Sequence, residues 1–322
     1  MRVGAVKRAW MAGVGGYLLA RNLAFKHAPA AANALMRLTN VSGRGRGRDG
    51  EKALAYFEGV AADYEVIAKK AGLTTDKSVF ENKLVLEIGP GNTQAIALLA
   101  RGRGALKFAG WDAFDVLSRD QRYLDAIYGP LLERAGKRAS DVRTLLDGCK
   151  IHGSREAFEP LAPFDLVISR AVLEHVRDLD GLYGDLAALT TEDAAVIHKV
   201  DLRSHGHQLT HDLDFLLFSE RSWRGLTTHI GEPNRARYPE YLEIGRQHGF
   251  VPIYVASTRV VTQAEAERIR PKLAMPYRDM SGEVLSVLGF WLVQVRDKHP
   301  LASRVVETAS LPPAPHDELA PF

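Results

Sequence analysis

The segment "KLVLEIGPGNTQ" at 83–94 sets an acid, Glu87, at the end of an apolar run and follows it with Gly89-Pro90-Gly91. The run has the character of a strand covered on both faces, as in a parallel sheet. Gly89 and Gly91 allow a tight turn and a close approach to a ligand that a Cβ would block. "QAIALLA" then opens a helix whose first N–H groups point into the turn. Strand, glycine turn and helix in that order make a nucleotide loop. A dinucleotide fingerprint needs a third glycine at position 94, where this chain has Gln94. A second acid, Asp112, ends the next strand pattern 23 residues beyond Gly89. A carboxylate there can accept both ribose hydroxyls in either class of nucleotide.

Further on, "HKVDLRSHGHQLTHDLDF" gathers His198, His205, His207 and His211 with Asp201, Asp212 and Asp214. It leaves the carboxyl edge of the fifth strand pattern, where ligands of open α/β sheets bind. His205 and His207 are the candidate general bases, whereas His198 lies inside the strand pattern and reads as a core histidine. Imidazoles and carboxylates together could hold a metal, but no zinc-binding spacing is matched, so no metal ligand is assigned. In "HIGEPNRARYPEY", Asn234, Arg235, Arg237 and Tyr238 could clamp a carboxylate or phosphate of the substrate, because guanidinium offers a bidentate fork. The same residues could instead simply turn the chain into the next helix.

Three motifs carry a family resemblance. "VLEIGPG" resembles the first motif of the class I S-adenosylmethionine (SAM) methyltransferases, which has an acid two residues before the first glycine, here Glu87. "FDLVISRAVLEHVRD" at 164–178 is similar to their fourth motif, with Asp165 opening a strand and "LEHV" on the helix after it. "IGRQHGF" at 244–250 resembles the helix end before their sixth strand. The resemblance covers about residues 75–297. It implies SAM as cofactor and a seven-stranded sheet with an antiparallel last strand. By position, it implies that Glu87, Gly89, Pro90 and Gly91 lie against the amino-acid end and the turn, and that Asp112 holds the ribose. Gly153, Ser154 and Arg155 would flank the adenine; many members have an acid where Ser154 stands, a contact that Glu156 could supply. Ser169 and Arg170 would face the methionine end. His175 reads as a helix-orienting residue rather than a catalytic one.

These motifs need a frame. "EKALAYFEGVAADYEVIAKKAG" has helical spacing, and strands are expected near 83–88, 105–114, 147–153, 164–170, 194–202, 251–261 and 284–297. Helices alternate with them, which defines an α/β, doubly wound, mostly parallel sheet. Two stretches exceed the minimal alternation, 113–146 and 203–238. Excursions of that length are usually functional, and both are expected to cap the active site as substrate insertions.

The net charge is +3. The first fifty residues hold nine Lys or Arg against Asp49 alone, so the basic excess belongs to an N-terminal arm and the rest is net acidic. That argues against a groove lined for nucleic acid. The arm's apolar stretch, "AWMAGVGGYLLA", is too short to span a bilayer, and the arm is expected to be helical, with membrane-surface contact as its alternative role. Domains are therefore expected at 1–50 (arm and linker), 51–298 (methyltransferase) and 299–322 (a proline-rich tail without structure). One cysteine, Cys149, excludes an internal disulfide and fits a reducing cytoplasm.

The reading is a methyltransferase (EC 2.1.1.-) acting on oxygen or nitrogen of a small-molecule acceptor. The pattern around 229–241 resembles methyltransferases encoded with bacterial sugar or polysaccharide pathways. The alternatives are an RNA or protein methyltransferase docking through the arm, and a non-catalytic SAM-binding protein.

Overall fold

A computed structural model describes residues 3–32, 50–112, 117–118, 120–147, 149–151, 155–314 and 316. Its centre is one sheet in the order β3-β2-β1-β4-β5-β7-β6-β8. The strands are β1 (Leu84–Ile88), β2 (Lys107–Trp111), β3 (Lys150–Ile151), β4 (Phe164–Arg170), β5 (Thr190–Asp201), β6 (Phe250–Val260), β7 (Val287–Arg296) and β8 (Glu307–Ser310). β1 to β5 are parallel, and β7 runs antiparallel to both β5 and β6. The first seven strands are the class I methyltransferase arrangement expected from the motifs.

The helices are α1 (Val3–His27), α2 (Gly50–Lys70), α3 (Ala95–Gly102), α4 (Gln121–Arg134), α5 (Val142–Leu146), α6 (Leu179–Leu189), α7 (Glu220–Thr227), α8 (Tyr238–Gln247), α9 (Gln263–Ile269) and α10 (Gly282–Ser286). Alternation along each strand divides the core. Val85, Leu166, Ile168 and Ile197 pack with α2, α3 and α4 on one face. Leu86, Val167, Val196 and Leu292 pack with α6 and α8 on the other. Both faces are covered, which is why these strands read as nearly continuous apolar runs.

Register then places the motifs. Ile88 lies opposite Trp111 on one side and Ser169 on the other. The residues that follow (Gly89, Asp112 and Arg170) therefore leave the sheet at one edge. Asp165 fixes the other end of that pairing, accepting from the Leu84 N–H at 2.8 Å.

A third core sits beyond the carboxyl edge. Leu18 of α1, Leu213, Phe215, Phe218 and Trp223 of the 203–238 segment, and Ile269, Leu273 and Tyr277 of 261–286 form it. The last of these stretches joins the carboxyl end of β6 to the start of antiparallel β7, so it too must lie at that edge. Periodicity in the sequence does not single it out. The arm packs on this cap: Asn22 donates to the Gly225 carbonyl at 3.1 Å, and Trp10 meets Phe218 at 5.8 Å between ring centroids. No helix among the described residues is long and apolar enough to cross a membrane.

Two expectations need correction. The segment 299–322 is not a structureless tail throughout: β8 adds in parallel to β6, pairing Tyr254 with Glu307. "ETAS" has strand-forming residues, and the ladder stops where Pro312 and Pro313 offer no N–H. "LEHV" is not an α-helix either. Leu173–His175 is a single 3-10 turn entered through Ala171 at φ +53°, and α6 starts only after Asp178 accepts from the Gly181 N–H at 2.8 Å.

Candidate active site

The glycine turn meets its expected geometry. Gly89 (φ +69°) and Gly91 (φ +74°) are both left-handed, a region that strains other residues. Their surroundings differ. A Cβ on Gly89 would come within 2.3 Å of the Val172 side chain, whereas one on Gly91 meets nothing within 4 Å among the described residues. Gly89 thus serves close packing and Gly91 faces an open cradle, with Pro90 half-buried between them. The Gly89 N–H donates to the Trp111 carbonyl at 2.8 Å, and the Gly91 N–H to Asp112 Oδ2 at 3.3 Å. Asp112 and the turn are therefore built as one unit. Excursion 113–146 reaches the same turn: the Gln94 N–H donates to the Tyr128 hydroxyl at 2.9 Å.

Glu87 is almost fully buried beneath the turn. Burial, and then the neighbouring Asp112 charge, push its carboxyl from the usual 4.5 up to about 8. A buried acid at the end of β1 beside an open cradle suits a ligand that carries positive charge, as the amino-acid end of SAM does. The residues present fit that cofactor.

The other predicted contacts divide. Ser169 is fully buried and bonds His198 Nδ1 at 2.8 Å across β4 and β5, so it supports the sheet and does not face a ligand. His198 is the core histidine expected; burial lowers it to about 3. Arg170 pairs with Asp63 of α2 at 2.9 Å and lies 5.5 Å from the Trp291 ring. The Arg155 guanidinium turns outward to Glu159 and Asp185, at 2.7 and 3.4 Å. Gly153 and Ser154 lie outside the described residues. Asp63, which also meets His316 at 2.8 Å, gives no signal in the sequence because α2 precedes every motif.

The predicted substrate clamp is not assembled. Arg237 is wholly buried and donates to the carbonyls of Leu202 and Val287, joining β5's exit to the start of β7. Arg235 is buried too, donating to the Phe218 carbonyl at 2.7 Å, pairing with Glu220 and lying over Trp223. Tyr238 packs on Phe290. Asn234 donates to the carbonyls of Leu173 and Val176, both at 2.8 Å, and so ties the cap to the turn after β4. The arginine-rich spacing signals cap architecture, because a guanidinium fork serves backbone carbonyls as well as carboxylates. Arg237→Met is expected to cost on the order of 3 kcal/mol, since two buried carbonyls lose their donor. Urea unfolding measures this; unchanged stability with a lost acceptor affinity would restore the clamp.

The two candidate bases also separate. His207 is buried between Tyr17 and Trp223 and bonds Glu232 at 2.9 Å; Glu232 in turn pairs with Arg21 of the arm. His207 is a cap-to-arm contact. His205, held at φ +50°, comes back over the sheet edge. Its ring stacks on His175 at 4.9 Å, and its Nε2 lies 3.6 Å from Asp201 Oδ2. Burial opposes ionisation of Asp201, but hydrogen bonds from His205 and Arg203 outweigh it and hold that carboxyl well below the usual range. Beside this pair sits Glu174, 1% exposed, which the residue types of "LEHV" do not mark as functional. Burial, then the Asp201 charge, raise its carboxyl well above the usual range. Burial and the neighbouring His205 lower His175 to about 4.

A doubly wound sheet with a buried acid, a glycine cradle and a second acid, Asp112, at one edge has the architecture of a nucleotide-binding α/β enzyme. The family profile described as "Methyltransferase domain" matches residues 61–254, and the chain belongs to that family. It is a SAM-dependent methyltransferase, with SAM as its cofactor. Solved structures that it resembles include magnesium protoporphyrin IX methyltransferase from Synechocystis PCC 6803 with bound S-adenosylhomocysteine (SAH), 15% identical, covering 85% of this chain and 97% of that one at a TM-score of 0.42. A SAM-dependent methyltransferase from Mesorhizobium loti is 16% identical, over 71% of this chain and 98% of that one, TM-score 0.40. Phosphoethanolamine N-methyltransferase 2 from Haemonchus contortus, in complex with SAM, is 18% identical over 72% of this chain and 51% of that one, TM-score 0.39. No curated protein matches this chain.

Proposed function

We propose that this enzyme methylates an oxygen or nitrogen of a small polar acceptor held beneath the cap, in the cytoplasm. One observation carries the reading: the sheet edge is roofed by segments 203–238 and 261–286, which share a core of their own with α1. A roof with its own core favours an enclosed acceptor over a polymer laid across the edge. The basic arm supports the same reading, because Arg21 is turned inward to Glu232 and is not offered to phosphates. SAM supplies a methyl already activated on a sulfonium, so the chain's task is alignment and, for a hydroxyl, removal of a proton. In this reading His205, with Asp201 3.6 Å behind it, serves as that base, and His207, engaged with Glu232, does not. The grouping of polar and charged residues around it suits a sugar-like or other hydroxylated metabolite.

The test incubates the protein with methyl-labelled SAM and separate small-molecule, RNA and protein fractions of a cell extract. Label confined to the small-molecule fraction is expected; label in RNA or protein overturns the reading. In parallel, calorimetric titration with SAM and SAH is expected to show binding that Asp112→Ala weakens about tenfold or more, the loss of a charge-assisted contact worth roughly 1.5–3 kcal/mol. Binding of NADH with neither of those ligands would overturn the cofactor.

A further inference from the structure

Among the described residues, Glu174 has no hydrogen-bond partner at either carboxylate oxygen, although both are buried. Buried polar atoms are almost always satisfied, and an unsatisfied carboxyl demands a cause. The adjacent His175 has a second such atom: its Nδ1 is also buried without a partner among the described residues, while its Nε2 lies 4.0 Å from Glu174 Oε1. His205, carried from the cap, stacks its ring on His175. One donor atom from each of Glu174, His175 and His205 lies within 4.8 Å of the others, a grouping found among the described residues. Metal bonds of about 2.1 Å set neighbouring donors roughly 3–3.4 Å apart, so a set spread over at most 4.8 Å is open by up to about 1.4 Å and would have to contract around an ion.

We propose that Glu174, His175 and His205 form a binding site for a divalent transition-metal ion on the acceptor side of the SAM cradle. Two imidazoles and one carboxylate are borderline ligands, suited to zinc, iron or cobalt and poorly matched to magnesium or calcium, which prefer oxygen alone. Asp201, 3.6 Å from His205 Nε2 and clasped by Arg203, stands behind the ligand set as an orienting carboxylate. Three protein ligands leave a coordination position open. An acceptor hydroxyl entering that position has its pKa lowered and gives its proton to solvent, so that with the ion bound His205 acts as a ligand and the ion takes over the activation that His205 performs as a base when the site is empty. Its oxygen then bonds to the methyl carbon, while the S–C bond breaks and its electron pair stays on sulfur, leaving SAH. That use of the ion rests on the methyl-transfer reading; the binding of the ion does not.

The site also explains two features that cofactor binding leaves unused. His205 adopts a left-handed backbone at φ +50°, and Ala171, at the mouth of the turn that presents Glu174, does the same at φ +53°. Two strained non-glycine residues flank one cluster, as expected where geometry serves a ligand.

The test is a cobalt titration of the full-length protein after chelator treatment, without SAM. One equivalent of Co2+ is expected to give a visible d–d band, displaced by Zn2+. Glu174→Gln and His205→Ala are each expected to weaken cobalt binding by about 100-fold, at the upper end of losses seen for ligand-shell changes. His211→Ala, a nearby histidine engaged with Asp214, is expected to leave it unchanged. SAH titration of each variant checks that the fold is intact. If Glu174→Gln does not fold, His205→Ala decides alone. Absence of the band in the wild-type protein overturns the proposal, as does a band that neither variant disturbs. SAH binding without cobalt binding rejects the metal site and leaves the methyltransferase reading standing; cobalt binding without SAH binding leaves the metal site standing and counts against the SAM cradle.

Discussion

Replacing Glu87 by glutamine is expected to stabilise the SAM-free protein above pH 8 and to weaken SAM binding. Burial, then Asp112, raise this carboxyl from 4.5 in an ordinary setting to about 8 in the folded chain. Below the ordinary value both folded and unfolded chains hold the proton, and the group leaves stability unaffected. Between the two values the unfolded chain releases the proton while the folded chain keeps it, so stability falls as pH rises and levels off only above the folded value. Each pH unit between the two values corresponds to about 1.4 kcal/mol, which gives a difference on the order of 3 kcal/mol after allowance for relaxation. Glutamine has no proton to lose. Melting curves of wild type and Glu87→Gln should converge near pH 5 and separate progressively towards pH 8.5, the variant melting higher. Calorimetry at pH 8.5 should show SAM affinity reduced about 10- to 100-fold, because a charged acceptor for the cofactor's ammonium group has gone. Parallel melting curves at the two pH values would mean that Glu87 is solvated. Equal SAM affinity would mean that it only shapes the turn. A residue that stabilises the protein when removed, yet is needed for binding, marks a site kept at the expense of stability.

The two glycines of the turn should fail in different ways. Gly89→Ala must place a methyl within 2.3 Å of Val172 at a left-handed backbone position. The turn and the chain after β4 would have to part, with an expected destabilisation of about 2–4 kcal/mol from overpacking and backbone strain together. The Cβ of Gly91→Val meets no atom of the described residues within 4 Å. The substitution should cost only the backbone strain, about 1–2 kcal/mol, yet abolish detectable SAM binding because its side chain fills the cradle. Denaturant unfolding and SAH titration of both variants read the contrast. A Gly91→Val protein that still binds SAH tightly would show that the cofactor lies elsewhere along the edge.

Much of the cofactor side is legible in the sequence because its information is local. Glu87, Gly89, Gly91 and Asp112 each stand at a strand end, and the parallel register that lines up Ile88, Trp111 and Ser169 follows from strands buried on both faces. Ser169 departs from expectation by one step of alternation: the strand is where the pattern puts it, but the side chain faces His198. The acceptor side is legible only as residue types. Arg235 and Arg237 have the look of a ligand clamp and prove to be cap struts, because nothing local says whether a guanidinium will meet a carbonyl of its own chain. Likewise, "HGH" offers two bases of equal merit. A single two-residue step sends His207 to the arm and His205 to the sheet edge.

By itself, then, the sequence determined the alternation of strands and helices and the glycine cradle with its two acids, since hydrophobic period and turn chemistry act over a few residues. Tertiary structure alone decided which polar groups would be stranded. Glu174 and His205 are 31 positions apart in the sequence and meet only because the cap folds back on the turn after β4, anchored by Asn234. Whether a carboxyl is paired, solvated or left bare depends on what arrives from a distance, and the cost of burying it is set there.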